Sequence, residues 1–229
     1  METKSIAIDG PSGAGKSTLA KLTAKKLGLI YVDTGALYRS IGLFVLRRGV
    51  ASKDEAGVKR LLPEITLEMK YDGSGTQRVI LRGEDVTDEI RSPEVSIYAS
   101  DVSAQTAVRE FLLQMQRDMA VRYDVIMDGR DIGTVVMPSA GVKIFLTADP
   151  EIRAKRRYDE MLAAGREVTY DEVLRDINYR DTNDSARANA PLKAAESAIV
   201  VDTSAFNLDE SFDKILDIIN ERLTGNGAK

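Results

Sequence analysis

The sequence contains no cysteine and no histidine. Without cysteine there is no disulfide framework, no thiolate nucleophile and no thiolate metal ligand. Without histidine, catalytic triads and histidine-based zinc sites are excluded as well. Any chemistry must therefore use carboxylates, amines, guanidinium groups, hydroxyls and backbone amides. The missing cysteines, together with an N-terminus that does not resemble a signal peptide, favour a reducing, cytoplasmic compartment.

The sequence also lacks long apolar runs and a strong excess of one charge. No stretch approaches the roughly 18 apolar residues that a membrane span needs, so no membrane partner is expected. The formal net charge of -4 gives no general attraction to nucleic acid. An anionic ligand must then be held by a local cluster of basic residues. The length of 229 residues favours one domain with insertions, at roughly 150 residues per domain.

Short apolar runs alternate with helical patterns along the chain, which is typical of βαβ units around a parallel sheet. Five runs are predicted to be buried strands, at residues 5–9, 29–33, 124–128, 142–147 and 198–202. Helices are predicted at 16–27, ending at Gly28, and at about 209–223. Two more are predicted to start at Asp149 and Pro150, with Asp149 as the cap, and at a capping box of Thr169 and Glu172. The last helix is predicted to dock through one apolar face, formed by Phe212, Ile215, Leu216, Ile219 and Leu223.

The strongest motif is GPSGAGKST at residues 10–18, which matches G-x-x-x-x-G-K-[S/T] between a predicted strand and a predicted helix. Its glycines let backbone N–H groups point at phosphate oxygens, and the helix N-terminus adds partial positive charge. Lys16 is expected to contact the β- and γ-phosphates, and the Ser17 hydroxyl to bind Mg²⁺. The residues expected to contact ATP are Gly10, Pro11, Ser12, Gly13, Ala14, Gly15, Lys16, Ser17 and Thr18.

A phosphate-binding loop alone does not separate a kinase from a GTPase switch or a motor ATPase. The sequence contains no Asn-Lys-x-Asp motif of the kind that reads guanine. Several arginines follow predicted strands, start a helix or lie in a polar stretch, although each one taken alone also fits a solvated surface charge; they are Arg39, Arg109, Arg130, Arg180 and Arg187. The sequences DTG at 33–35 and DGRD at 128–131 lie beyond the carboxyl edge of the predicted sheet, where ligands bind in open α/β folds.

So many guanidinium groups beside a phosphate-binding loop indicate a second anionic substrate, because arginine matches phosphate in a bidentate geometry. A phosphate monoester acceptor is already largely deprotonated at pH 7 and needs no general base. This chemistry is compatible with the lack of histidine. A nucleoside monophosphate kinase meets these requirements.

A second basic cluster lies on one predicted helix. Arg153, Arg156 and Arg157 are spaced i, i+3 and i+4, so all three are expected to face nearly the same way. Gly165 and Arg166 follow them, and the segment is interpreted as a lid that closes on the phosphates. A solvent-exposed basic face remains the alternative interpretation.

One stretch departs from the α/β pattern. Apolar residues alternate with polar ones from 65 to 71, a turn follows at 72–75, and 77–82 forms the second arm, which predicts an antiparallel hairpin. We expect a single domain, with a core of residues 1–51, 97–150 and 188–229, an insertion at 52–96 and a lid at 151–187. The tail beyond Leu223 is predicted to be disordered.

Five motifs, in this order, resemble the bacterial-type cytidylate kinase family over nearly the whole chain: residues 10–18, DTGALYR at 33–39, DGRDIGT at 128–134, KIFL at 143–146 and 180–191. The resemblance implies an α/β fold with a five-stranded parallel sheet, helices on both faces, a small antiparallel insertion that enlarges the monophosphate site, and a helical lid. It implies Mg²⁺-assisted transfer of the γ-phosphoryl group of ATP to CMP or dCMP. A cytoplasmic monomer with no nucleic-acid partner is expected.

The resemblance also implies roles for individual residues. Those expected to hold the acceptor phosphate are Arg39, Arg130 and Arg180, and those expected to hold the sugar hydroxyls are Arg180 and Asp184. The expected surroundings of the cytosine are Ser100, Arg109, Asp131 and Arg187, with Thr34 at the edge. The expected catalytic residues are Lys16, Arg130, Arg153, Arg157 and Arg180. The N4 amino group of cytosine suits a carboxylate such as Asp131, and its N3 and O2 atoms suit a donor such as Arg109 or a hydroxyl.

Some interpretations remain open at this point. Asp128 resembles an acidic residue that organises Mg²⁺ through water, but an aspartate at a strand end also caps turns. Asp9 is expected to be structural. A P-loop kinase for another nucleotide or a hydroxy acid, or a nucleotide-dependent switch, are the alternative functions; the missing guanine motif and the arginines disfavour the switch.

Overall fold

This computed structural model describes residues 4–73 and 76–223. The part of the predicted turn at 74 and 75 and the predicted disorder beyond Leu223 concern residues outside these ranges. Within the described residues, no helix is long and apolar enough to cross a bilayer.

The five predicted buried strands are present, each within one residue of its predicted bounds, and three further strands lie in the insertion. The strands are β1 (Ser5–Asp9), β2 (Ile30–Asp33), β3 (Leu67–Tyr71), β4 (Gln77–Leu81), β5 (Glu84–Asp85), β6 (Val125–Gly129), β7 (Val142–Thr147) and β8 (Ile199–Asp202). Five of them form a parallel sheet in the order β2-β6-β1-β7-β8, which confirms the predicted core. Because β2, β6 and β1 are neighbours, their carboxyl ends bring residues 33–35, 128–131 and 10–18 to the same edge.

The helices are α1 (Lys16–Leu27), α2 (Thr34–Arg47), α3 (Glu55–Leu61), α4 (Pro93–Ser103), α5 (Thr106–Arg122), α6 (Pro150–Ala163), α7 (Tyr170–Ser185) and α8 (Leu208–Leu223). The predicted stop of α1 at Gly28, with φ 67°, and the capping box of Thr169 and Glu172 are confirmed. The predicted side-chain cap by Asp149 is wrong, since its carboxylate makes no capping hydrogen bond to α6. The backbone N–H of Asp149 instead donates to Ser204 Oγ at 2.8 Å.

Helices cover both faces of the parallel sheet. Ile6 and Ile8 pack on the side of α1 and α8, while Ala7 packs on the opposite side against the turn after β6. The buried face of α8 differs from the prediction in two positions: Ile218 is buried in addition, and Leu223, in the last turn, is 37% exposed. Burial on both faces explains why the strands of this sheet are almost entirely apolar.

The predicted hairpin is confirmed, with β3 and β4 antiparallel in the register Leu67↔Leu81 and Tyr71↔Gln77. β5 adds a short third strand that was not predicted. The insertion shares one apolar cluster with α2, α4 and α5 rather than forming its own core. Its hairpin also contacts the edge strand β2, since the Tyr71 hydroxyl donates to the Tyr31 carbonyl and the Gln77 side chain accepts from the Asp33 N–H.

Candidate active site

The loop of residues 10–18 joins β1 to α1 and requires glycine at its first position. Gly10 has a φ of 148°, and a Cβ there would lie 1.9 Å from the carbonyl oxygen of Leu146. The Lys16 side chain folds back over the loop, where its Nζ donates to the Pro11 carbonyl at 2.6 Å. Burial, with the nearby Arg130, lowers the pKa of Lys16. The loop therefore holds a buried amine poised beside the helix N-terminus.

Asp128, at the end of β6, is the centre of a hydrogen-bond network. The Ser17 hydroxyl donates to Asp128 Oδ2 and the Tyr31 hydroxyl to Oδ1, each at 2.8 Å, while the Thr34 hydroxyl donates to the Asp128 carbonyl at 2.7 Å. Burial, with the negative charge of Asp33, raises the pKa of Asp128. A hydroxyl and a carboxylate in contact at the start of α1 fit Mg²⁺, which prefers oxygen ligands.

Asp9 lies behind this network at the end of β1. Its carboxylate accepts hydrogen bonds from the backbone N–H groups of Ile132 and Gly133, both at 2.7 Å. Burial raises its pKa to about 6, against the lowering effect of these bonds. Asp9 thereby holds the turn that follows Arg130 and Asp131, and the structural role predicted for it is confirmed.

A cavity of about 470 Å³ opens beside the loop and is lined by residues from both sides. The predicted site residues on its wall are Ser12, Gly13, Gly15, Lys16, Ser17, Thr18, Thr34, Arg39, Ser100, Arg109, Asp128, Arg130, Asp131, Arg157, Arg180, Asp184 and Arg187. The remaining loop residues, Gly10, Pro11 and Ala14, are buried. The fold therefore brings together residues that lie far apart in the sequence.

One wall of the cavity is organised around Asp33. Arg39 Nη2 and Arg91 Nη2 both lie 2.8 Å from Asp33 Oδ2. Burial alone would raise the pKa of Asp33, but the two guanidinium groups outweigh it and lower the pKa to about 2. Arg91 was not predicted, and Arg166, from the loop after α6, donates to its carbonyl at 3.0 Å.

The opposite wall carries alternating arginines and aspartates. Arg109 pairs with Asp131, and both are buried. Asp184 pairs with Arg187 and, at 2.7 Å, with Arg130 Nε. These pairs fix the orientation of the guanidinium groups on the cavity wall.

Arg180 differs from Arg39 and Arg187, which pair with Asp33 and Asp184, because it forms no salt bridge among the described residues. Its Nε atom is buried and has no hydrogen-bond partner among those residues, as is also true of the Nε atoms of Arg39 and Arg187. Burial and the nearby Arg130 lower its pKa to about 10. A buried donor of this kind is costly unless a ligand satisfies it, which indicates an anion-binding position.

The three arginines of α6 do not face the same way, so that prediction is wrong. Arg153 lies under the loop, where it donates to the carbonyls of Ala148 and Ser12 and pairs with Asp181 at 2.7 Å. Arg156 turns away and donates to the carbonyls of Thr203 and Phe206. Only Arg157 of the three lines the cavity. Successive helix residues are about 100° apart, so Arg156 and Arg157 point in different directions. Arg153 and Arg157 lie one turn apart, and their long side chains reach different groups at different heights along the helix.

A parallel α/β sheet, a phosphate-binding loop after its central strand and an arginine-lined cavity beside that loop define a P-loop kinase with an anionic acceptor. The family model described as Cytidylate kinase matches residues 6–221. The chain is 51% identical over 218 residues to the cytidylate kinase of Caldicellulosiruptor saccharolyticus, covering 95% of this chain and 96% of the relative. It is 48% identical over 217 residues to that of Carboxydothermus hydrogenoformans, covering 95% and 97%. The chain therefore belongs to the cytidylate kinase family.

Solved structures of other kinases also align with the chain, at low sequence identity. A shikimate kinase from Bacteroides thetaiotaomicron aligns over 95% of this chain and 98% of its own, with a TM-score of 0.44 and 15% identity.

Proposed function

We propose that the arginine-lined cavity carries out the reaction of the cytidylate kinase family, in which ATP phosphorylates CMP and dCMP to CDP and dCDP. The chain is a nucleoside monophosphate kinase of this family. The observation that carries the assignment of the cavity is Arg180, which lines the cavity beside the phosphate-binding loop and forms no salt bridge among the described residues. An acceptor phosphate at that point would satisfy Arg180 and stand next to the donor.

On the donor side, the triphosphate of ATP occupies the loop of residues 10–18. Lys16 exchanges its bond to the Pro11 carbonyl for the phosphate oxygens, which stabilises its charged form. Arg153, which holds the Ser12 carbonyl at 2.8 Å, keeps the loop in shape rather than contacting the substrate. Ser17 and Asp128, the latter through water, would hold Mg²⁺, which neutralises charge on the phosphates when bound.

On the acceptor side, Arg39, Arg130 and Arg180 hold the monophosphate, and Asp184 with Arg180 holds the sugar. The base lies between Asp131, which accepts from the cytosine amino group, and donors on its other edge, namely Arg109, Arg187 and Ser100. Thr34 lies at the rim of this pocket, where its hydroxyl donates to the Asp128 carbonyl at 2.7 Å.

The chemistry needs positioning and charge neutralisation only. An oxygen of the acceptor phosphate attacks the γ-phosphorus of ATP, and ADP leaves with the electrons of the broken P–O bond. The acceptor is a phosphate that is largely dianionic at pH 7, so no side chain has to remove a proton. Arg157 and the arginines of the acceptor site neutralise the charge spread over the transferred group.

The insertion and the lid are proposed to move towards each other during the reaction. Their present contacts include the hydrogen bond from Arg166 to the Arg91 carbonyl, 3.0 Å long, and the Lys53 ammonium group, which lies 5.5 Å from the centre of the Tyr179 ring. Closure of residues 151–187 would exclude water from the transferred phosphoryl group. All of these groups come from a single chain, and we propose that the enzyme works as a monomer in the cytoplasm.

Release of ADP tests this function directly. The protein is incubated with Mg²⁺ and ATP, and separately with CMP, dCMP, UMP, AMP or shikimate as the acceptor. Acceleration by CMP and dCMP above all others is expected, with loss of turnover in Arg180→Leu. A matched Arg175→Leu variant, at an exposed position of α7, retains turnover. The absence of acceleration by every monophosphate would contradict the proposal and favour a nucleotide-dependent switch.

A further inference from the structure

Asn183, on α7, makes two hydrogen bonds to Ser100, on α4. Its Nδ2 lies 2.9 Å from the Ser100 carbonyl oxygen and 2.8 Å from Ser100 Oγ. A carbonyl oxygen only accepts, so the amide must present its NH₂ group to Ser100. The second bond then comes from the same nitrogen, and the oxygen of the Ser100 hydroxyl is its acceptor. This contact was not predicted from the sequence.

The surroundings of Ser100 leave its hydroxyl proton unused. The Ser103 hydroxyl donates to the Ser100 carbonyl at 2.9 Å, so donors approach Ser100 from two sides. The hydroxyls of Ser40 and Ser96 donate to the carbonyl four residues earlier, as serines in helices commonly do. In residues 4–73 and 76–223, the Ser100 hydroxyl has no such acceptor. Ser100 is 4% exposed, and it lines the cavity.

We infer that Asn183 is a positioning residue for base selection. Its NH₂ group donates to the Ser100 hydroxyl oxygen, so the hydroxyl proton of Ser100 is left to donate a hydrogen bond to the base. This inference rests on the proposed function, in which Ser100 contacts the cytosine. Cytosine carries acceptors at N3 and O2, whereas uracil carries a donor at N3. A serine hydroxyl left to itself rotates and serves either base. A hydroxyl fixed as a donor favours cytosine.

A purely mechanical role for Asn183 makes a different prediction. Tyr179 also joins α7 to α4, through its hydroxyl and Asp101 Oδ1 at 2.5 Å. If Asn183 only held the two helices together, its loss would lower the efficiency with every monophosphate by the same factor. A role through Ser100 changes the ratio between CMP and UMP, because the freed hydroxyl also accepts from uracil N3–H. The ratio is therefore the informative measurement.

The test measures kcat/KM for CMP and UMP, together with thermal unfolding, in the wild type, Asn183→Leu, Ser100→Ala and the double variant. Asn183→Leu removes the donor at similar volume, and the CMP to UMP ratio is expected to fall about tenfold. In the Ser100→Ala background, the same substitution is expected to leave the ratio unchanged. Asn183→Asp gives a second reading if the leucine variant does not fold. Its carboxylate accepts from the Ser100 hydroxyl, and it should lower the ratio at least as far.

Asn178→Leu, an identical change at an exposed position of α7, is the matched control and should leave the ratio unchanged. If Ser100→Ala lowers the ratio while both Asn183 variants keep it, the inference about Asn183 is wrong and the base contact of Ser100 stands. If Ser100→Ala keeps the ratio, the contact of Ser100 with the base is itself wrong, and the inference is overturned with it. Turnover of CMP by the wild type separates either result from a failure of the proposed reaction.

Discussion

The hydroxyl of Tyr31 donates a 2.8 Å hydrogen bond to Oδ1 of Asp128, the carboxylate whose other oxygen accepts from Ser17. The phenol is buried, since Tyr31 is 8% exposed, so it fixes the carboxylate from behind. The Tyr71 hydroxyl of the insertion donates to the Tyr31 carbonyl at 3.0 Å. A residue in an edge strand thus connects the insertion with the proposed Mg²⁺ position.

We predict that Tyr31→Phe weakens binding of Mg²⁺ to the complex of enzyme and ADP by about tenfold, as loss of an outer hydrogen bond to a metal ligand commonly does. The substitution also leaves a buried carboxylate oxygen without this donor, at a cost of about 1–3 kcal/mol in the free energy of unfolding. Calorimetric Mg²⁺ titration and urea denaturation measure the two effects. Tyr71→Phe, which removes a bond to the backbone only, is the control. Unchanged Mg²⁺ affinity in Tyr31→Phe would show that Asp128 needs no such support.

Lys16→Met is expected to separate activity from stability. Burial and the nearby Arg130 and Arg180 disfavour the charged amine in the protein without nucleotide. Its replacement by an apolar side chain of similar length should therefore keep or raise the melting temperature. Turnover should fall by a factor of about 100–1000, because a charge aimed at the transferred group is lost. Thermal unfolding and ADP release on the same preparation check this, and near-normal turnover would contradict the role of Lys16.

The lowered pKa of Asp33 implies that the free energy of unfolding depends on pH in the acid range. The folded-state pKa is about 2, below the ordinary value of 3.8, because Arg39 and Arg91 outweigh burial. The stabilisation is therefore present above pH 4 and is lost as the pH falls from about 4 to 2, and it amounts to about 2–3 kcal/mol. Asp33→Asn keeps an acceptor for the Ala36 N–H but loses the charge. Asp33→Asn should have a lower free energy of unfolding than the wild type at pH 7, and this difference should shrink as the pH falls towards 2.

Urea denaturation at pH 7, 5, 4 and 3 measures that gap in the free energy of unfolding. Asp159→Asn, an exposed carboxylate on α6 that pairs with Lys155, is the control and should show a gap near zero throughout. A gap for Asp33→Asn that stays constant with pH would mean that the ion pairs with Arg39 and Arg91 do not stabilise the fold.

The sheet and the loop were predictable because their signals are local. Each buried strand is an apolar run, and residues 10–18 need no information beyond their own spacing. The strand order β2-β6-β1 was not predicted from the sequence. The predicted site rested instead on the general rule that the carboxyl ends of parallel strands meet at one edge of the sheet. That rule was enough to bring Arg39, Arg130 and the loop together.

The residues that were missed depend on tertiary contacts. Tyr31 lies inside an apolar run and has the pattern of a core residue, yet its hydroxyl reaches Asp128 on the neighbouring strand. Arg91 lies in the insertion, and nothing in its local sequence distinguishes it from a surface arginine. Arg156 shares the spacing of Arg153 and Arg157, but only the fold shows that carbonyls of the segment after β8 are closer to it. Helical spacing predicts which side chains start from the same face of a helix. It does not predict which groups the ends of long side chains will contact.

Arg156 and Arg157, which are adjacent on α6, should give opposite results. Arg156→Ala removes hydrogen bonds to the carbonyls of Thr203 and Phe206 and should lower the free energy of unfolding by about 1–2 kcal/mol with kcat/KM retained. Arg157→Ala, which removes a guanidinium at the cavity, should lower kcat at least tenfold with stability retained. Urea denaturation and steady-state kinetics on both variants check the contrast. If Arg156→Ala lost activity at full stability, Arg156 would act at the cavity, as the prediction of one shared arginine face required.

The side chain of Asp131 is buried and paired with Arg109. In the proposed complex, Asp131 also accepts from the cytosine amino group, so UMP would present its O4 acceptor to a carboxylate. Asp131→Asn keeps the volume and one oxygen for Arg109, and it offers an NH₂ group that suits uracil O4. The efficiency with CMP should fall by about a hundredfold, and that with UMP much less, because a repulsive contact is lost along with an attractive one.

The measurement is kcat/KM for CMP and UMP in the wild type and in Asp131→Asn, with thermal unfolding to show that the variant is folded. The neutral amide pairs less strongly with the buried Arg109, so some loss of stability is expected. This loss does not distinguish a residue that contacts the base from one that only orients Arg109. The ratio of the two efficiencies does decide, because a residue that only orients Arg109 changes both by a similar factor. An unchanged ratio would therefore mean that Asp131 only orients Arg109. The amino group of cytosine would then have to be recognised by another residue of the cavity.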